Sequence, residues 1–145
     1  MIVDASVVVD AICDPGPRGE AARDALGQQP AVEPLIAPGH FAVEVMSALR
    51  AAANRPGHPF QPPDIPRALE EAEGYGIEVE STPWDDVRRA WTLSARSLRY
   101  TDAVYVAAAE RHQTTLLTSD GRIQRSGADL RCEIRTVVPL ADEGP

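Results

Sequence analysis

The sequence predicts a single α/β domain: a mostly parallel sheet of five strands flanked by helices, an α/β/α sandwich. Three observations lead there. Short apolar runs alternate with helical stretches, the pattern of a parallel sheet covered on both faces. The length, 145 residues, is that of one domain. Hydrophobic residues make up 43% of the chain and charged residues 25%, which supplies a core without the signature of disorder.

The elements follow in order. Ile2–Val3 and Val7–Val9 form a β-branched run around Asp4, read as a first buried strand with the chain turning helical after Ser6. Asp14-Pro15-Gly16-Pro17 breaks the chain, and Gly19–Leu26 reads as a short helix. Leu35–Ala37 is a second strand, stopped by Pro38. From His40 to Ala53 apolar residues recur at three- and four-residue spacing, the clearest helix, with Glu44 on its flank. Asn54 to Pro66 is rich in Pro and Gly and reads as a loop, followed by a polar helix over Arg67–Glu73. Ile77–Ser81 is a third strand. Trp84–Arg96 is a helix with Val87, Trp91 and Ala95 on one face, so both tryptophans are expected as core or interface anchors. Thr101 is expected to cap a helix running to about His112, apolar nearly all round and therefore buried. Thr114–Thr118 and Ile134–Val138 are the fourth and fifth strands.

Composition excludes several chemistries. All 14 basic residues are Arg, and none is Lys. A phosphate-loop NTPase, a protein kinase and a Schiff-base enzyme each need a Lys. The net charge of −8 argues against a general nucleic-acid coat protein but not against a nuclease that gathers carboxylates around a metal. Cys13 and Cys132 offer neither a disulfide framework nor a zinc ligand set, and read as two free thiols. The N-terminal stretch lacks the positive region of a signal peptide, and no apolar run approaches a membrane span, so the expectation is a cytoplasmic protein with no membrane partner.

In parallel sheets, ligands bind beyond the carboxyl ends of the strands. Asp4 follows the first strand and Asp120 the fourth; Asp102 opens the buried helix; Glu44 interrupts the apolar side of the clearest one. Two unit charges about 4 Å apart repel by about 4 kcal/mol at an effective dielectric of roughly 20. Four such acids together call for a divalent cation, and an all-carboxylate set suits Mg²⁺ or Mn²⁺ rather than zinc. The other acids, including Asp10, Glu70, Glu71, Glu73, Asp85 and Asp86, read as surface residues, and His40, His58 and His112 show no metal-ligand spacing.

Four segments carry a family resemblance. Ile2-Val3-Asp4-Ala5-Ser6, Pro38-Gly39-His40-Phe41-Ala42-Val43-Glu44-Val45, Tyr100-Thr101-Asp102-Ala103-Val104-Tyr105-Val106-Ala107-Ala108-Ala109-Glu110 and Leu116-Leu117-Thr118-Ser119-Asp120 occur in that order. Together they resemble a PIN domain of the VapC type, the ribonuclease toxins of toxin–antitoxin pairs. The resemblance implies a PIN-like domain over 1–140 with a tail at 141–145. It implies an endoribonuclease using Mg²⁺ or Mn²⁺ held by Asp4, Asp102, Glu44 and Asp120, the last two directly or through water. Ser6, Thr118 and Ser119 would hydrogen-bond to these carboxylates. Arg122 and Arg125 are candidates for RNA phosphates, with Arg89, Arg96 and Arg99 lining the same mouth. A VapB-type antitoxin and a homodimer are implied as partners. Two departures stand out: a long Pro-rich stretch between the second and third acids, and Gly121 where a bulkier polar residue is common.

Two other readings stay open. One is a PIN-like domain without activity, kept as a protein-binding module. The other is a phosphatase or receiver-type protein with Asp4 as the phosphorylated acid, which the missing Lys and the Ser at position 6 disfavour.

Overall fold

In the computed structural model, residues 1–28, 33–95 and 97–138 are described. The expected tail at 141–145 and Arg96 lie outside them. The chain runs β1 (Ile2–Val3), α1 (Ala5–Cys13), α2 (Pro17–Gly27), β2 (Ile36–Pro38), α3 (Phe41–Ala53), a 3₁₀ turn (Pro62–Asp64), α4 (Ile65–Gly74), β3 (Glu78–Glu80), α5 (Trp84–Leu93), α6 (Tyr100–Arg111), β4 (Leu116–Thr118) and β5 (Ile134–Thr136).

All five expected strands are present. They form one sheet in the order β3-β2-β1-β4-β5, with every pairing parallel. Strand order reverses at β1, so the chain leaves β1 and β4 in diverging directions and opens a crevice beyond their carboxyl ends. Ile2 and Val3 on β1, and Leu116 and Leu117 on β4, point alternately to opposite faces, yet none is exposed. Both faces of the sheet are therefore covered. The helices make two packed groups, α1 to α4 and α5 with α6; α1 lies against β4, and α6 against β1, β2 and β4. Helix α6 is buried from Asp102 to Ala109, as its all-round apolar pattern requires.

Several boundaries differ from those read in the sequence. Val7–Val9 are helical, not strand: the Asp4 side chain accepts from the Ser6 N–H and caps α1, and burial of Val7 and Val8 overrides their β preference. Helix α4 begins at Ile65, within the expected loop, because Pro66 sits in its first turn, where a missing N–H costs nothing. The helix expected to run from Trp84 to Arg96 ends at Leu93. Arg99, not Thr101, stands at the N-cap of α6, and no side chain caps that helix.

Trp84 and Trp91 are each 76% exposed and lie outside the core. The α5 residues that face inward are Asp86, Ala90 and Leu93, one helical face away. Asp86 is buried rather than solvated, because Arg111 Nε reaches its two oxygens at 3.1 and 3.0 Å. Gly19 marks the closest approach between helices: a Cβ there would stand 1.8 Å from the Asp14 carbonyl oxygen, so only glycine lets α2 turn back on α1.

Truncating Leu49, fully buried at the centre of α3, should lower unfolding free energy in urea by about 2–5 kcal/mol. Trp91→Ala should change it by less than about 0.5 kcal/mol, and a core-sized loss there would contradict its exposed placement.

Candidate active site

The structure gathers the four acids around the crevice beyond β1 and β4. Asp4 stands at the joint between β1 and α1 and is 5% exposed. Its backbone N–H continues the sheet by donating to Leu117 O at 2.9 Å. Thr118 Oγ1 donates to Asp4 Oδ2 at 2.7 Å and Ser6 Oγ at 3.0 Å. Burial is still the stronger influence: it raises the carboxyl against these donors, with the charge of Asp102 adding to it, to about 6.

Asp102, in the first turn of α6, is also buried. Burial raises its pKa, the Arg99 guanidinium 3.0 Å away opposes this, and the charges of Asp120 and Glu44 push it further up. Asp120 follows β4 in the Asp-Gly turn. Arg122 holds it low, donating from its backbone N–H at 2.9 Å, Nε at 3.0 Å and Nη2 at 2.8 Å. Arg99 Nη2 lies 3.6 Å from the same carboxylate, so Arg99 bridges Asp102 and Asp120.

Glu44 enters from the first turn of α3. Its Oε1 lies 3.0 Å from His40 Nε2, but that nitrogen is hydrogen-bonded to the Thr101 carbonyl at 3.1 Å. The buried Oε1 has no hydrogen bond of its own. Burial raises the Glu44 carboxyl, yet neighbouring His40, Tyr105 and Arg99 hold it below the usual range. The imidazole of His40 also packs against Tyr105, with ring centres 4.7 Å apart and planes tilted by 53°, and the Tyr105 hydroxyl accepts from the Ala5 N–H at 3.4 Å. His40 and Tyr105 thus belong to the site although the sequence reading passed over them. The His-x-x-x-Glu spacing, one helical turn, was the signal for the first.

The hydroxyls divide. Ser6 and Thr118 hold Asp4, as expected. Ser119 donates its backbone N–H to Ser6 Oγ at 3.1 Å, while its own hydroxyl is buried without a partner and touches no carboxylate. Among the described residues Arg125 has no carboxylate partner; its guanidinium lies over Gly121, where a Cβ would stand 3.3 Å from Nη1. A side chain at 121 would shift this guanidinium by a few tenths of an ångström. Arg89 is not at this mouth. It grips Glu110 through two bonds of 2.8 and 3.0 Å in a separate cleft of about 800 Å³ between α5, α6 and the start of β5, whose arginines are paired with acids.

As placed, no three carboxylate, imidazole or thiol groups among the described residues stand close enough to hold an ion. The donor chemistry nevertheless fits a hard divalent cation. Every candidate ligand is a carboxylate, Glu44 Oε1 accepts no hydrogen bond although His40 Nε2 stands 3.0 Å away, Ser119 Oγ is buried without a hydrogen bond, and a guanidinium already stands between Asp102 and Asp120.

Comparison with known proteins agrees with this architecture. A family model for the PIN domain matches residues 1–128. Ribonuclease VapC3 of Mycobacterium tuberculosis, in strains CDC 1551 and H37Rv, is 33% identical over 130 residues, 87% of this chain and 86% of that one. Among solved structures, a toxin–antitoxin complex from Klebsiella pneumoniae aligns with a TM-score of 0.62 at 19% identity, over 96% of this chain and 98% of that one. VapC20 of M. tuberculosis, a sarcin-ricin loop cleaving toxin, aligns with a TM-score of 0.61 at 19% identity, over 88% and 95%. VapBC2 of Rickettsia felis, solved on a DNA fragment from its promoter, aligns with a TM-score of 0.65 at 9% identity, over 93% and 96%. These three share the fold. On the family model and the identity to VapC3, the chain belongs to the PIN domain family and, within it, to the VapC ribonucleases.

Proposed function

We propose that the protein is the toxin of a toxin–antitoxin pair: a cytoplasmic endoribonuclease that hydrolyses RNA phosphodiester bonds with Mg²⁺ or Mn²⁺. The observation that carries the reading is Asp4, a carboxylate buried at the reversal of strand order with Asp102 pressing on it. A fold tolerates such a charge where a cation arrives to offset it. The VapC relatives support the toxin role, and the toxin–antitoxin complexes among the structural neighbours support a VapB-type antitoxin as partner; a homodimer is part of the proposal on the family resemblance alone.

Asp4 and Asp102 would be the core ligands, with Glu44 and Asp120 binding directly or through water. When bound, the ion supplies positive charge against the scissile phosphate and a water acidic enough to act as nucleophile. The chain's own residues do the rest. Thr118 and Ser6 fix Asp4 Oδ2 and so orient the carboxyl. His40 sets the rotamer of Glu44 and keeps it ionised. Arg125, which lies over Gly121 without a carboxylate partner among the described residues, and Arg122 would receive RNA phosphates on the Asp120 side of the crevice.

Cleavage of total cellular RNA with added Mn²⁺ or Mg²⁺ should give discrete fragments that need the metal and vanish in Asp102→Asn. A folded protein that neither cleaves nor binds Mn²⁺ would instead be a binding module.

Thr118→Val, which removes the shortest bond to Asp4, should weaken Mn²⁺ binding by about 10–100-fold in calorimetry.

Asp4 also sets a pH dependence. Its folded pKa lies above the ordinary 3.8, so the carboxyl is protonated in both states at low pH and costs nothing there. The cost grows as pH rises through about 4 to 6 and is complete above about 6, at roughly 3 kcal/mol. Metal-free Asp4→Asn should therefore melt above the wild type at pH 7.5 and converge with it below about pH 4. A variant less stable than wild type at neutral pH would contradict this account.

A further inference from the structure

Arg99 is placed against the ordinary rules for its position. It is the N-cap of α6, where Ser, Thr, Asp or Asn is favoured and where the positive end of the helix dipole repels a cation. It makes no capping bond. Its guanidinium turns to the crevice instead, with Nε 3.0 Å from Asp102 Oδ2 and Nη2 3.6 Å from Asp120 Oδ2. The two acids are largely buried, while Arg99 is 61% exposed. A long, solvent-borne side chain thus neutralises two carboxylates that belong to different elements and that repel each other. Arg122 differs: it holds only Asp120, two residues away in the same turn.

We propose that Arg99 is the built-in counter-ion of the metal-free site, which a divalent cation must displace from Asp102 and Asp120, and that the freed guanidinium then engages an RNA phosphate. This rests on the metal-dependent reading above. In the absence of metal, Arg99 relieves the repulsion between the two acids. It competes with the ion for the same oxygens and weakens metal binding. Once displaced, it remains tethered at the start of α6, beside the carboxylates and within the crevice where a phosphodiester would lie. One residue thereby lowers metal affinity and raises RNA affinity, two effects of opposite sign.

The test is Mn²⁺ titration by calorimetry of the full chain, stripped of divalent ions, as wild type, Arg99→Gln, Arg99→Lys and Arg88→Gln. Arg88 pairs with Asp85 on exposed α5 and controls for the loss of one positive charge. Arg99→Gln should bind Mn²⁺ about fivefold more tightly, the size expected when an exposed guanidinium no longer has to leave. Arg99→Lys, which keeps the charge but not the bridging fork, should fall between it and the wild type. Arg88→Gln should stay within about twofold of wild type. At saturating Mn²⁺, Arg99→Gln should raise KM for RNA by about fivefold or more, with kcat less affected. Unchanged or weaker Mn²⁺ binding in Arg99→Gln overturns the proposal, as does equal tightening in Arg88→Gln or an unchanged KM. In each of those cases wild-type Mn²⁺ binding leaves the nuclease reading intact. Failure of the wild type itself to bind Mn²⁺ overturns both.

Discussion

Bringing like charges together beyond the ends of two adjacent parallel strands is the constraint around which this molecule is arranged. Asp4 cannot move to solvent, because its backbone N–H is part of the β1–β4 ladder and its side chain caps α1. The acid is therefore held in a site whose burial disfavours its charge. Thr118, Ser6, Arg99, Arg122 and His40 all act on that problem, some by donating hydrogen bonds to the carboxylates and some by opposite charge. The hydroxyls restrict where Asp4 can point. The arginines are exposed and long enough to leave. Asp4 is held by hydroxyl donors, while the counter-charges stand on exposed side chains.

A second charge network keeps α6 in register with the rest. Arg89 clamps Glu110, and Arg111 joins buried Asp86 on α5 to Glu80 at the end of β3, where His112 also lies 2.9 Å from the Glu80 carboxylate. These pairs sit at the C-terminal half of α6, away from Asp102 at its start. They match α5 to α6 without crowding the crevice. A buried pair of this kind adds little net stability, but breaking it would strand Asp86 in the core. Its effect is to fix how α5 and α6 face each other, and so where α6 delivers Asp102.

The legibility of the sequence followed the range of the interactions. The five strands and the helices α3 and α6 were readable because their apolar patterns are local. The four acids were readable because each stands next to such a pattern. Two kinds of reading failed. Trp84 and Trp91 are large and apolar, yet α5 turns them outward, which overturns their expected place in the core though not at an interface, since the inward face carries Asp86, Ala90 and Leu93 and Asp86 meets Arg111, 25 residues away. Asp86 looked like a surface charge and Arg89 like a residue of the site's mouth because their partners lie 25 and 21 residues away. Pro66 was read as the last residue of a loop and lies in the first turn of α4, which starts two residues earlier than expected.

By itself the sequence determined the α/β class, the strand and helix order, and the candidate acids, because periodicity and strand-end placement are properties of neighbouring residues. Only the tertiary structure decided the strand order, and with it which strand ends adjoin. It decided that Ser6 and Thr118 share one oxygen of Asp4 while the Ser119 hydroxyl is left alone. It also decided that Arg99, expected only to line the mouth, spans Asp102 and Asp120. The physical reason is that strand pairing and the neighbours a charge or hydroxyl meets are set by contacts between separate segments of the chain, as where Thr118 reaches Asp4 across 114 residues of sequence.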